Sequence, residues 1–194
     1  MKGCRALTDA EVAVVSQSFG GAYAARDRAL FILGVKSGFR ISELLSLTVG
    51  DVWQHGRFLE RVAVRRRHMK GKHQGSSVPL HPAAKTALAA WLMDRQRLGE
   101  MTPDMPLFPS RKGWNQPLRR GQAHHILQEA YATNGLTGMI GCHGMRKTFG
   151  QKVYQATGDD LRATQHAMGH KSPASTAAYL AVDEQAIDAV ILAL

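Results

Sequence analysis

The feature that most limits how this chain can fold is a change of hydrophobic period near its middle. Between Arg57 and Arg67, Val62 and Val64 fall on one side and Arg61 and Arg65 on the other, the period-two pattern of a strand. Ser76 to Leu80 can pair with that strand. Met69 to Gly75 then forms the hairpin loop, with glycines free to take positive φ. Elsewhere the patterned segments repeat at three and four residues. The expected fold class is therefore mainly α, an α+β domain in which helices carry one small antiparallel sheet around residues 57–80.

The helical segments are marked by their ends. Thr8-Asp9-Ala10-Glu11 has the form of a capping box and opens a first helix. A second runs from about Gly21 to Lys36, buries Leu30, Ile32 and Leu33, and meets Gly38 as a left-handed cap. Ser42 is expected to cap a short helix through Ser46. Pro82 suits a first helical position, ahead of Leu88, Trp91, Leu92 and Arg95. Gly99 to Gly121 is rich in Pro and Gly and reads mainly as loop. Further helices are expected over 122–133, 145–156 and 160–168 and from Ala174 onward, with Asp183 capping a last apolar one. The whole of 1–194 is expected to be one domain.

Charge narrows the partner. With 25 Lys+Arg against 15 Asp+Glu the chain carries +10. A balance of that size favours a polyanion, most often nucleic acid. Arg57, Arg61, Arg65, Arg66, Arg67, Lys70 and Lys72 crowd the hairpin against Glu60 alone, whereas Ala181 to Leu194 carries only acids. A basic face and a separate acidic tail follow. Hydrophobic content of 44% and charged content of 21% exclude a disordered or fibrous chain. Cys4 and Cys142 cannot build a disulfide framework, and no signal peptide precedes Thr8, so a reducing cytoplasm is the expected compartment. The apolar run from Ala29 to Val35 is too short to span a bilayer, and no membrane association is expected.

Four elements carry chemistry: Gly38-Phe39-Arg40-Ile41-Ser42-Glu43, then His143-Gly144-Met145-Arg146, then Met168-Gly169-His170, and finally Tyr179. Each is weak alone. Arg40 could complement a helix dipole, His143 and Arg146 could be a surface pair, and His166 with His170 has a zinc-like spacing that Gly169 interrupts. In this order and spacing the set closely resembles the catalytic domain of tyrosine recombinases of the phage integrase family, over essentially the whole chain from Leu7. The resemblance begins near Leu7, so the N-terminal DNA-clamping domain usual in that family is not expected within these residues.

The resemblance implies a phage integrase-like fold and a site-specific recombinase or integrase that cuts and rejoins DNA through a 3′-phosphotyrosyl link. It implies Tyr179 as nucleophile, Arg40 and Arg146 on the phosphate, His143 assisting proton transfer and His170 bonding the phosphate. Lys70 on the hairpin is implied as the acid for the departing 5′ oxygen, with Lys72 open as the alternative. No cofactor or metal is implied. Double-stranded DNA is the implied partner, with a dimer or tetramer assembling on it through the C-terminal helix. The residue types suit this chemistry on physical grounds as well. Two guanidiniums can clamp non-bridging oxygens and stabilise the added charge of a pentavalent transition state. A phenol, of ordinary pKa about 10, needs a proton acceptor and a positive field before it attacks. A type IB topoisomerase, an inactive DNA-binding relative and a helical protein unrelated to DNA stand as alternatives.

Overall fold

A computed structural model describes residues 4–64, 76–99, 101–170, 172–177, 180 and 191–192. These form two compact units, Met1–Phe149 and Gly150–Leu194. Mainly helical, the chain has the expected class: helices interrupted by short antiparallel hairpins.

In the first unit α1 (Asp9–Ser18) opens on the full capping box, Glu11 N–H donating to Thr8 Oγ1 and Thr8 N–H to the Glu11 carboxylate. The centre of the core is α2 (Ala24–Ser37), in which Ala29, Leu30, Phe31, Leu33 and Val35 are buried. It packs most extensively on α4 (Pro82–Leu98), whose Leu88, Trp91 and Leu92 face it at helical spacing. Pro82 occupies the first turn of α4, where its missing N–H costs nothing. The inner face of α4 also fixes the chain beyond it. Trp91 Nε1–H donates to Leu107 O at 2.8 Å, and the buried Arg95 guanidinium donates to Pro106 O at 2.5 Å.

Where short elements are concerned the structure departs from the pattern reading. The helix α3 is Ile41–Leu44, and its cap is Arg40 rather than Ser42. Glu43, at the third helical position, reaches back to accept the Arg40 N–H at 2.7 Å, which moves the helix start upstream and leaves Ser42 exposed. The basic stretch after Arg57 is two strands, not one. Strands β1 (Trp53–Gln54) and β2 (Arg57–Phe58) make a tight hairpin through His55 and Gly56, both at positive φ. Trp53 and Phe58 seal it edge to face at 4.7 Å. The expected pairing then follows, with β3 (Arg61–Val64) antiparallel to β4 (Ser76–Pro79) and Val62 opposite Val78 in the core. A third hairpin, β5 (Pro109–Ser110) with β6 (Gly113–Pro117), lies in the segment read as loop. Strand β5 has only two residues, and β6 runs from a glycine to a proline with one apolar side chain between them, so no apolar alternation marks the pair.

Helix α5 (Arg120–Thr133) and then α6 (Cys142–Ala156) complete this part of the chain, the boundary between the units falling inside α6. In the second unit Asp160 caps α7 (Leu161–Met168), accepting from Arg162 N–H and Ala163 N–H, and Gly169 ends it at φ 60. Helix α8 (Pro173–Ala177) packs on α7, and Met168 lies against Gly150. No helix among the described residues is long and apolar enough to cross a membrane. Asp183, the expected cap of the last helix, lies outside the described residues, as does the loop from Met69 to Gly75.

Candidate active site

The first arginine is placed by the end of α2. Gly38 takes φ 64, its N–H returning to Gly34 O, and the turn delivers Arg40 to the head of α3. There the Glu43 carboxylate, almost fully buried, bonds both the backbone N–H of Arg40 and its Nη1, the latter at 3.0 Å. The Arg40 side chain stays 39% exposed. One end of the guanidinium is therefore fixed while the rest faces solvent. A bound carboxylate also holds the arginine in one rotamer, so less entropy is lost when an anion arrives.

The second arginine is placed by α6, and each neighbour in that helix has its own anchor. Met145 packs over Gly34, where a Cβ would come within 2.6 Å of its sulfur. Thr148 Oγ1 accepts the Leu7 N–H and donates to Gly144 O, both at 2.8 Å. Arg146, 2% exposed, donates from Nη1 to the carbonyl of Gly38. Phe149 lies on Gly38 so closely that any Cβ there would collide with its ring. A single glycine thus turns the chain toward Arg40, admits Phe149 and anchors Arg146.

His143 lies in the first turn of α6, with its ring reachable by solvent. Partial burial, then the charges of Arg146, Arg40, Arg120 and Lys147, push it below its ordinary 6.5. Near neutral pH the imidazole is therefore uncharged and able to take a proton. Arg40 and His143 share the wall of an open pocket of about 830 Å³ with Arg120 and His124 of α5. Positive charge, a neutral base and space for a ligand thus converge.

In the second unit His170 follows the Gly169 cap, its Nδ1 3.0 Å from Oγ1 of the fully buried Thr176. The buried hydroxyl thereby fixes the orientation of the imidazole ring. Gly169 leaves the helical path between His166 and His170, so the two do not share a helix face as zinc ligands would. Lys70, Lys72 and Tyr179 lie outside the described residues. Of the other tyrosines, Tyr131 is buried, and burial pushes its phenol above the ordinary 10, so it does not ionise readily. Tyr23 is half-buried against Arg26, 4.4 Å from the ring centre.

Residues 7–186 match the phage integrase family. The chain belongs to that family. Among its relatives, the probable integrase/recombinase YoeC of Bacillus subtilis (strain 168) is 34% identical over 163 residues, which cover 82% of this chain and 79% of YoeC. Tyrosine recombinase XerD of Mycobacterium leprae (strain TN) is 32% identical over 94% of this chain, and tyrosine recombinase XerC of Bacillus subtilis (strain 168) 32% identical over 90%. The match spans only 58% of that XerD and 54% of that XerC. The fold is shared with the XerA recombinase crystal structure at TM-score 0.74, with 22% identity over 96% of this chain and 63% of XerA. It is shared also with the Tn1549 transposon integrase at TM-score 0.72, with 19% identity over 100% of this chain and 67% of that one. As a phage integrase family member the chain has Met168 where a leucine is usual and Lys147 where a histidine is frequent. Met168 is buried against Gly150, so the change keeps the apolar packing.

Two functional features went unread in the sequence as such. Glu43 was part of the first arginine motif without a role, although an acid three residues after a capping position is the available signal. Thr176 carried no signal at all, since nothing local marks a hydroxyl that orients a histidine six residues away.

Proposed function

We propose that this chain is the catalytic domain of a site-specific DNA recombinase, cutting and rejoining strands through Tyr179. The observation that carries the reading is the grouping of Arg40, the anchored Arg146 and an uncharged His143, with the first and last opening on one pocket. The Tyr179 hydroxyl gives its proton to His143 and its oxygen attacks the phosphorus. Arg40, Arg146 and His170 stabilise the charge that gathers on the non-bridging oxygens. The bond to the 5′ oxygen breaks, and Lys70, or Lys72 in its place, protonates that oxygen as it leaves. The 3′-phosphotyrosyl link keeps the bond energy for religation when a 5′ hydroxyl returns.

Double-stranded DNA is the partner, favoured by the +10 charge. Assembly as a dimer or tetramer through the C-terminal helix is supported by Ile191 and Leu192, which are 60% and 87% exposed. Cytoplasmic residence suits a DNA-directed chain with two free thiols.

A nicked suicide duplex carrying the target site tests the reading. A covalent protein–DNA adduct is expected from the native chain and not from Tyr179→Phe; an adduct that survives in that variant removes Tyr179 as nucleophile. With a 5′-bridging sulfur in the substrate, the lysine variant whose cleavage is restored identifies the acid.

A further inference from the structure

The pocket that holds Arg40 and His143 has a second chemistry on its wall. Arg5 N–H donates to Met139 O at 2.8 Å, Arg5 Nε–H to Thr137 O at 2.9 Å, and Leu7 N–H to Thr148 Oγ1 at 2.8 Å. Those bonds lay residues 4–7 along the approach to α6 and its first turns. Within this strap Cys4 Sγ accepts the N–H of Gly141 at 3.1 Å, one residue from Cys142. The same sulfur lies 3.6 Å from where a Cβ on Gly144 would stand, two residues past Cys142. Cys142 Sγ is 3.8 Å from His124 Nδ1. Both thiols are free and half-buried, and both line the pocket.

We propose that Cys4 and Cys142 are a reversible oxidation site, forming an intramolecular disulfide that closes the wall beside His143. A peroxide supplies the oxidising equivalents. The Cys4 thiolate attacks one peroxide oxygen, the O–O bond breaks, and hydroxide leaves with a proton as water, giving a sulfenic acid. The Cys142 sulfur then attacks the Cys4 sulfur, and its proton passes by way of His124 to the sulfenic oxygen, which departs as a second water. Two thiols and one hydrogen peroxide thus become one disulfide and two waters, and a dithiol reductant reverses the change. Burial pushes the Cys142 thiol up from its ordinary 9.0. Alone it is a slow target for peroxide, which fits the resolving role. Transient disulfides of this kind are the ones found in reducing compartments.

The consequence for catalysis rests on the recombinase reading. Cys142 adjoins His143 directly, so a bond from it to Cys4 ties the base to the strap. A displacement of about 1 Å at a reacting group costs on the order of 10²-fold in rate. Oxidation is therefore expected to slow strand cleavage by about 10-fold or more.

The test treats the full chain with equimolar hydrogen peroxide, blocks remaining thiols by alkylation and maps peptides without reduction. The expected result is joint loss of both thiols, a Cys4–Cys142 peptide pair lighter by two hydrogens, and recovery of both thiols with dithiothreitol. Independent oxidation of the two sulfurs, or links only between chains, overturns the site. In Cys142→Ser, Cys4 should halt at a sulfenic acid that dimedone traps; its absence overturns the order of attack. Cleavage of the nicked duplex is then compared in the two forms. Equal rates overturn the switch while the mapped disulfide stands. No adduct in either form overturns the recombinase reading, and the peptide map still decides the disulfide.

Discussion

At the scale of single residues, the two arginines proposed to stabilise the phosphate sit in different surroundings. Arg40 is partly exposed and held by one acid, whereas Arg146 is buried and tied to a main-chain carbonyl. Arg40→Ala is expected to lower single-turnover cleavage by about 10²–10³-fold, the scale for removing one transition-state donor, and to lower the melting temperature, because the buried Glu43 carboxylate loses its charged partner. Arg146→Ala should lose as much cleavage and also melt lower, because it empties a packed site and abandons the Gly38 carbonyl. His143 makes a pH prediction. Its folded pKa lies below 6.5, and the uncharged form is the one that accepts a proton, so the acid limb of the rate profile should fall below 6.5. In His143→Gln the rate should drop by about 10²–10⁴-fold and that limb should disappear. A limb that persists unchanged would assign the titration to another group.

At the scale of elements, the ends of helices carry the site. Gly38→Ala places a Cβ at φ 64 and drives it into Phe149, so about 1–2 kcal/mol from the backbone is joined by the cost of moving a ring. A lower midpoint in chemical denaturation, together with slower cleavage from the displaced Arg146, checks both parts. The entry to α1 is sensitive to acid. The Arg5 guanidinium, hydrogen-bonded at 2.5 Å, holds Glu11 down to about 2 from 4.5. The folded chain then binds fewer protons at this site than the unfolded one, so the stabilisation is complete above about 4.5 and drains away as pH falls toward 2. Glu11→Gln should flatten that part of the stability profile in an acid titration followed by circular dichroism. Helix starts with strong local chemistry, Thr8 and Pro82 among them, were legible in the sequence because their partners lie within a few residues. The start of α3 was not, because Ser42 and Arg40 compete and only the reach of Glu43 decides between them.

For the molecule as a whole, charge and assembly are the measurable properties. If the basic run that includes Arg65, Arg66 and Arg67 meets DNA phosphates, DNA affinity should fall steeply with salt. A chain engaging about six phosphates loses on the order of 10³-fold between about 50 and 200 mM salt. Replacing the three arginines with alanine should flatten that slope, as a filter-binding titration would show. Replacing Ile191 and Leu192 with serine should reduce the species larger than a monomer on DNA, seen by light scattering, while leaving the adduct on a single nicked site. Adduct formation lost in step with assembly would instead make the neighbour part of the active site.

Composition and near neighbours along the chain were enough for the helical class, the pairing of the Val62 and Val64 strand with residues 76–80, the caps at Thr8 and Gly38, and the order of Arg40, His143, Arg146 and His170. Chemistry of that kind is written in residue type and spacing. Tertiary structure alone decided what depends on groups far apart in the chain. It set the Gly38 carbonyl under Arg146, partly buried His143 beside Arg40 and Arg120 so that its pKa falls, and brought Cys4 to the residue before Cys142. Those relations arise from contacts of the end of α2 with α6, and of the amino-terminal strap with α6 and the segment before it. No local pattern encodes them, since a carbonyl, a field and a buried contact carry no residue type of their own.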